Sequence, residues 1–284
     1  MQFLNPCIDV AFKKIFGSEE HKRVTISFLN SILELTGQRA IKNVQFLNTE
    51  QHELRDKKKE NYLDILCTDQ VDNTYIIEVQ VERVKTFDKR ITYYATKTYA
   101  LQLGAAQSYY KLKPVIAIAV LGFTLFPKKK AYKSIHNLLD IKTHEHDLEE
   151  LTFAFIELPK FEKTENELVT NEDKWLYFLK NIDEQNHVPA PLNKGEFEEA
   201  CHAIERMTWT EAEINAYDYS IIKTTDVQGG LELAFEDGEK KGETKGKREK
   251  AIEIATKMLG AGIDIATIAQ TTGLTIEEIK KLKK

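Results

Sequence analysis

A chain of 284 residues that is 42% hydrophobic and 30% charged can bury one large core with an appendage, and its composition is that of a soluble globular protein. Its net charge of -5 excludes a generically basic nucleic-acid coat, because non-specific affinity rests on cations placed against phosphates; local clusters of Lys and Arg are what remain to search. Three scattered cysteines, Cys7, Cys67 and Cys201, exclude a disulfide scaffold and a paired-cysteine zinc site. No stretch is apolar for long enough to span a membrane. The start, Met1-Gln-Phe-Leu-Asn-Pro, lacks the basic and apolar regions of a secretory signal, so the expected compartment is the cytoplasm.

The first predicted helix runs from Val10 to Phe16, capped by Asp9 and ended by Gly17. A second starts at Ser18, carries Val24, Ile26, Phe28, Leu29, Ile32 and Leu33, and closes at Gly37. Val44 to Glu53 reads as a strand. Next come Lys57, Lys58 and Lys59, a basic run that is either a solvated face or a phosphate contact.

Asn61 to Glu82 is the most informative stretch. Tyr62 to Cys67 and Thr74 to Val81 are short apolar runs, and TDQVDN between them is a turn-forming cluster. A turn centred near Val71 sets Asp64 opposite Glu78, and Gln80 shares the face of Glu78. Two readings stay open. Antiparallel strands often have a wet face on which acids need no explanation. Alternatively the two carboxylates are buried among Ile65, Ile76 and Ile77, and a divalent cation relieves the cost.

Arg83, Lys85, Lys89 and Arg90 follow the second strand. Phe87 to Gly104 is a predicted helix with Tyr93, Tyr94, Tyr99 and Leu101 at helical spacing. Tyr93, Tyr94, Tyr109 and Tyr110 either pack in the core, the commoner use, or stack on bases. Val115 to Leu121 is a strand, so strand, crossover helix and strand give a parallel pair beside the hairpin. Lys128, Lys129 and Lys130 form a further basic run, and Thr152 to Leu158 adds one more strand. The expected class is α/β, a mixed sheet flanked by helices, with an α-helical C-terminal extension.

From Lys174 the pattern is helical, with a Pro- and Gly-rich break at residues 188–195 and helices over Phe197 to Met207 and Glu211 to Ile222. His144 and His146 sit in an acidic loop at a spacing that helical zinc sites do not use. Gly238, Gly242 and Gly246 recur every fourth residue amid Glu and Lys, which predicts a weakly helical linker over 229–250. Three short helices follow, Ala251 to Leu259, Ile265 to Thr271 and Ile276 to Leu282, with Asp264 and Thr275 as N-caps. IATIAQTTGLTIEEIKKL resembles a helix-turn-helix, with Ala269, Gly273 and Ile279 as its small, turn and core residues. Glu277 and Glu278 open its second helix, which favours a protein partner over DNA for this module.

An Asp at a strand end, a turn, and Glu-x-Gln after an apolar run together resemble the PD-(D/E)xK nuclease core. The Glu-x-Gln form, with DVAFKKIFGSEEHKRVTISFLNSIL, RITYYATKTYALQL and YYKLKPVIAIAVLGFTLF in order around it, is similar to the Rpn family of recombination-promoting nucleases and transposases. The match covers most of residues 1 to 230, and the glycine-punctuated tail is also typical of that family. This resemblance implies a restriction-endonuclease-like core at 1–160, a helical extension at 161–228, the linker at 229–250 and the small helical module at 251–284. It implies a Mg²⁺- or Mn²⁺-dependent DNA endonuclease with Asp64, Glu78 and the Val79 carbonyl as metal ligands and Gln80 orienting a water. Asp9, Lys13, Arg90 and Gln102 match family positions; Asp9 reads rather as an N-cap, Lys13 is otherwise a solvated lysine, and Arg90 and Gln102 fit surface roles equally well. The usual motif ends in Lys, whereas Gln80 is neutral, so a catalytic cation must come from elsewhere; Lys13, Lys14 and Lys97 are candidates. Lys57, Lys58, Lys59, Arg83 and Arg90 are candidate DNA contacts. DNA is the expected partner, with a second copy joined through the helical tail. The alternative is a nuclease-like fold of little or no activity that binds nucleic acid or protein, a reading that Gln80 favours.

Overall fold

The computed structural model describes residues 1–47, 63–104 and 107–282. Helix α1, Asp9–Phe16, exists because Ala11, Phe12, Ile15 and Phe16 share one buried face. It starts one residue earlier than expected, and Asp9 does not cap it; Ile8 holds that place. Helix α2, Lys22–Ile32, begins after a turn in which Ser18 Oγ donates to the Lys14 carbonyl and accepts from the His21 N–H. It ends before Gly37, which instead opens a 3-10 turn at a φ of +61°.

Six strands form one sheet: β1 (Val44–Phe46), β2 (Ile65–Asp69), β3 (Thr74–Gln80), β4 (Val115–Leu121), β5 (Lys133–Leu138) and β6 (Leu148–Glu157). Their order is β1-β2-β3-β4-β6-β5. The β3–β4 and β4–β6 pairs are parallel, and the outer pairs are antiparallel. β4, VIAIAVL, sits between two parallel neighbours, and its unbroken apolar run is what burial on both faces requires. The parallel β3–β4 pair is made by the crossover helix α3, Phe87–Ala100. Only Val44–Phe46 of the first expected strand is extended among the described residues, because its remainder from residue 48 lies outside them. The edge strand β5 had no counterpart in the sequence pattern.

Alternation along β3 divides the molecule into two packed layers. Tyr75 and Ile77 join a core with Phe12, Phe16, Phe28 and Trp175, whereas Ile76 joins a second core with Phe87, Ile91, Tyr94 and Ala95 of α3. The first core also takes in helices α4 (Asn171–Asn181) and α5 (Gly195–Ala203) and extends to Trp209 and Tyr217. The helices expected as an extension thus share the core of the first 160 residues, and Met1–Ile222 is one compact unit. Cys7, Cys67 and Cys201 are all buried in it, and burial pushes each thiol up to about 12.

Lys223–Lys284 is the second unit. Residues 229–250 are helical throughout, inside helix α6 (Glu211–Gly260). Helices α7 (Ile265–Thr272) and α8 (Ile276–Leu282) follow, around a small core of Ala255, Ile268, Leu274 and Ile279. Asp264 caps α7 through the Thr267 N–H, and Gly273 turns at a φ of +71°, where a side chain would be strained. Among the described residues no helix is long and apolar enough to cross a membrane.

Candidate active site

The hairpin is set by its turn. The Asp69 carboxylate accepts from the Val71 and Asn73 N–H groups, the Asn73 amide and the Tyr75 hydroxyl, and Asp72 takes a φ of +69°. Four acceptor bonds on one buried side chain leave little freedom for the register to slip. That register pairs Ile65 with Ile77 and Leu66 with Ile76. Continued by one residue, it sets Asp64 opposite Glu78, as the sequence predicts.

Both acids are withdrawn from water. Glu78 is 4% exposed, and the Asp64 side chain 13%. Asp64 Oδ2 accepts the Val79 N–H at 2.8 Å. Glu78 Oε1 is buried with no hydrogen-bond partner among the described residues. Burial pushes the Glu78 carboxyl up to about 7 against the pull of Arg90, the Asp64 backbone and Lys13. Burial first, then the charge of Glu78, holds Asp64 well above the usual carboxylate range. The wet-face reading is excluded at this pair.

Two cations reach it from opposite helix layers. Lys13 of α1 lies 2.8 Å from Asp9 and 3.8 Å from Asp64. Burial pulls its ammonium down, but the bond to Asp9 and the charges of Asp9, Asp64 and Glu78 outweigh it and hold it above its usual value. Asp9 is therefore the partner of Lys13, one turn away on the same helix face. Arg90 of α3 donates to Gln80 Oε1 at 2.6 Å and stands 3.9 Å from Glu78 Oε2, stacked over the Phe87 ring. Gln80 follows Glu78 by two on the face that α3 covers, so Arg90 meets both.

Of the sequence candidates, Asp64, Glu78, Gln80, Lys13, Asp9 and Arg90 converge. Val79 is there through its N–H, which serves Asp64. Lys14 does not converge: it pairs with Glu213 at 2.6 Å and lies over the Trp209 ring. Lys97 lies over Tyr93 on the outer face of α3. Arg83 is exposed, as are Lys128, Lys129 and Lys130. Gln102 brackets Lys113, donating to its carbonyl and accepting from its N–H. Lys57, Lys58 and Lys59 lie outside the described residues. Tyr94 is core, but Tyr93, Tyr109 and Tyr110 are exposed, which corrects the core reading for those three. The contact of Arg90 with Glu78 and Gln80 was missed. Its signal was topological: the first turn of a crossover helix lies beside the carboxyl end of the strand before it.

The pair fits a divalent metal. An unpartnered buried carboxylate oxygen and two like charges held together are costly, and a hard cation with oxygen ligands removes both costs. Among the described residues no group of three or more His, Cys, Asp or Glu is placed to hold a metal, so backbone or solvent oxygens would have to complete the shell.

Residues 6–234 match the family described as PD-(D/E)XK nuclease family transposase. Residues 248–284 match the Rpn/YhgA-like nuclease family, C-terminal HTH domain. No curated protein and no solved structure matches the chain. With four-fifths of its length inside the first match, the chain belongs to the PD-(D/E)XK nuclease family transposases, and its residues 248–284 are similar to the Rpn/YhgA-like C-terminal helix-turn-helix domain.

Proposed function

We propose that the chain is a metal-dependent DNA endonuclease that uses Mg²⁺ or Mn²⁺. The observation that carries this is the buried, opposed Asp64–Glu78 pair with Glu78 Oε1 unpartnered. Asp64 and Glu78 would hold the ion, with the Val79 carbonyl as a third oxygen. When bound, the ion would polarise the scissile phosphate and lower the pKa of the attacking water.

The chain's own groups divide the remaining work. Lys13, held by Asp9, supplies the positive charge that Gln80 cannot, and offsets charge building on the phosphate. Arg90 occupies the acceptor oxygen of Gln80, which leaves the amide donors to orient a water or phosphate oxygen. Gln80 is neutral and Lys13 is held protonated by its acids, so neither takes a proton near pH 7. The buried walls of the hairpin keep the electrostatics strong.

The family match to a helix-turn-helix domain supports DNA as the partner of the C-terminal module over the protein partner that Glu277 and Glu278 favour. The Glu278 carboxylate is already engaged by the Thr275 N–H and hydroxyl and by Arg248, which removes half of the acidic objection. A second copy, joined through the helical tail, is the other proposed partner.

The test is cleavage of supercoiled plasmid with Mg²⁺, Mn²⁺, Ca²⁺ or EDTA, beside Asp64→Ala, Glu78→Ala and Lys13→Ala purified identically. Nicking should need Mg²⁺ or Mn²⁺, vanish in the two acid variants, and fall about 100-fold in Lys13→Ala, the scale of a single electrostatic group. Full activity in either acid variant would sink the assignment. No cleavage by the wild type with any metal would favour a non-cutting binding module.

A further inference from the structure

Residues Arg83 to Lys113 carry seven basic side chains and one acid, Asp88, in a chain whose net charge is -5. Part of this charge forms a row. Arg90, Tyr93 and Lys97 fall at spacings of three and four on α3, so they lie along one stripe of the helix, at the edge of its buried face of Ile91, Tyr94, Ala95 and Thr98. The Lys97 ammonium lies 5.7 Å from the centre of the Tyr93 ring. The row begins at the site, where Arg90 touches Gln80 and stands near Glu78.

It continues past the far end of the helix. Gln102 bonds both backbone groups of Lys113, at 2.9 and 2.7 Å, and so fastens the 3-10 turn Tyr109–Lys111 beside the C-terminal end of α3. Tyr109 and Tyr110 are each 81% exposed there, and Tyr93 is 55% exposed. A tyrosine ring left in water forgoes most of its burial energy, and three exposed rings within one strongly basic segment have a specific chemistry. Aromatic faces stack on bases of any sequence, and interleaved cations follow the phosphates. A paired duplex keeps its bases stacked inside and offers no face to these rings.

We propose that the row from Arg90 through Tyr93 and Lys97 to Tyr109, Tyr110 and Lys111 is a track for single-stranded DNA leading to the Asp64–Glu78 site. Arg90 to Lys97 spans roughly 10 Å of helix, which is about three base steps of ordinary rise. The track rests on the nuclease reading for its purpose but not for its binding. It gives that reading a substrate class: DNA with an unpaired segment, such as a frayed end, a flap or a bubble.

The experiment is fluorescence anisotropy of the full chain in EDTA with a labelled mixed-sequence oligonucleotide, single-stranded or annealed to its complement. Tyr93→Ala/Tyr110→Ala, Tyr93→Phe/Tyr110→Phe, Lys97→Ala and Asp64→Ala are measured beside the wild type. All but Asp64 are surface side chains, and circular dichroism checks each fold. The wild type should prefer the single strand. The double alanine variant should lose at least tenfold on the single strand and little on the duplex, the double phenylalanine variant should keep wild-type affinity, and Lys97→Ala should flatten the salt dependence. Asp64→Ala should bind as the wild type does. Single-strand affinity of the double alanine variant within twofold of wild type overturns the track, whether or not the enzyme cuts plasmid. Tyrosine-dependent binding by a wild type that never cuts sustains the track and removes the nuclease reading alone.

Discussion

At the scale of single residues, Glu78 is a buried carboxyl with one oxygen unpartnered among the described residues. Its pKa is raised from 4.5 to about 7, and Asp64 is raised beside it. Between those values the folded chain holds protons that the unfolded chain has released. Stability that is complete below about pH 4.5 is therefore lost as the pH rises through about 7. In EDTA the denaturant midpoint should fall across this window. Glu78→Gln should flatten the fall, and Mg²⁺ should restore stability to the wild type at pH 7.5 but not to the variant. Chemical denaturation at five pH values reads this directly. The same slope in wild type and Glu78→Gln would mean that the carboxyl is not strained in the free protein.

Elements are held by contacts that the sequence only half discloses. Gly17 ends α1 where a Cβ would sit 2.8 Å from the Lys13 carbonyl and 3.2 Å from the Ile65 side chain. Its missing side chain lets the helix that carries Lys13 close on the strand that follows Asp64. Gly17→Ala should cost about 1–3 kcal/mol, as overpacking does, and lower cleavage more than Gly37→Ala, whose Cβ would meet nothing within 4 Å although its φ is +61°. Thermal melts and plasmid nicking of the two variants separate these effects. The hairpin, its register and β4 were legible because Asp69 and the turn cluster fix the pairing and because an unbroken apolar run has few other uses. Strand β5 was not legible: KSIHNL is an edge with no alternation, and its pairing to β6 is non-local. Residues 229–250 were read as a weak helix from the cost of their glycines, a local argument, and they are helical throughout. That Asp64, Glu78 and Gln80 lie close together was legible from pattern; the placing of Lys13 and Arg90 around them needed the third dimension.

For the molecule as a whole, the two units differ in how much holds them together. Met1–Ile222 has two cores with large aromatic clusters, whereas the C-terminal helices close around four buried aliphatic residues, too few to be robust alone. A chain ended after Val227 should keep cooperative unfolding and the Asp64-dependent activity. Its sedimentation mass tests whether the tail joins copies: fewer chains per particle than in the full protein supports this, and an unchanged number of chains removes the idea. The three buried thiols give the same division a chemical clock. All of them lie in the first unit, each is pushed up to about 12, and only the thiolate reacts with alkylating reagents. Alkylation can therefore proceed only as fast as that unit opens, while the C-terminal unit, which has no cysteine, can come and go unrecorded. One cysteine engineered into the core of the tail, in place of the buried Ala255, would be protected only while that unit stays closed, so a single time course would report the opening of both units in the same tube.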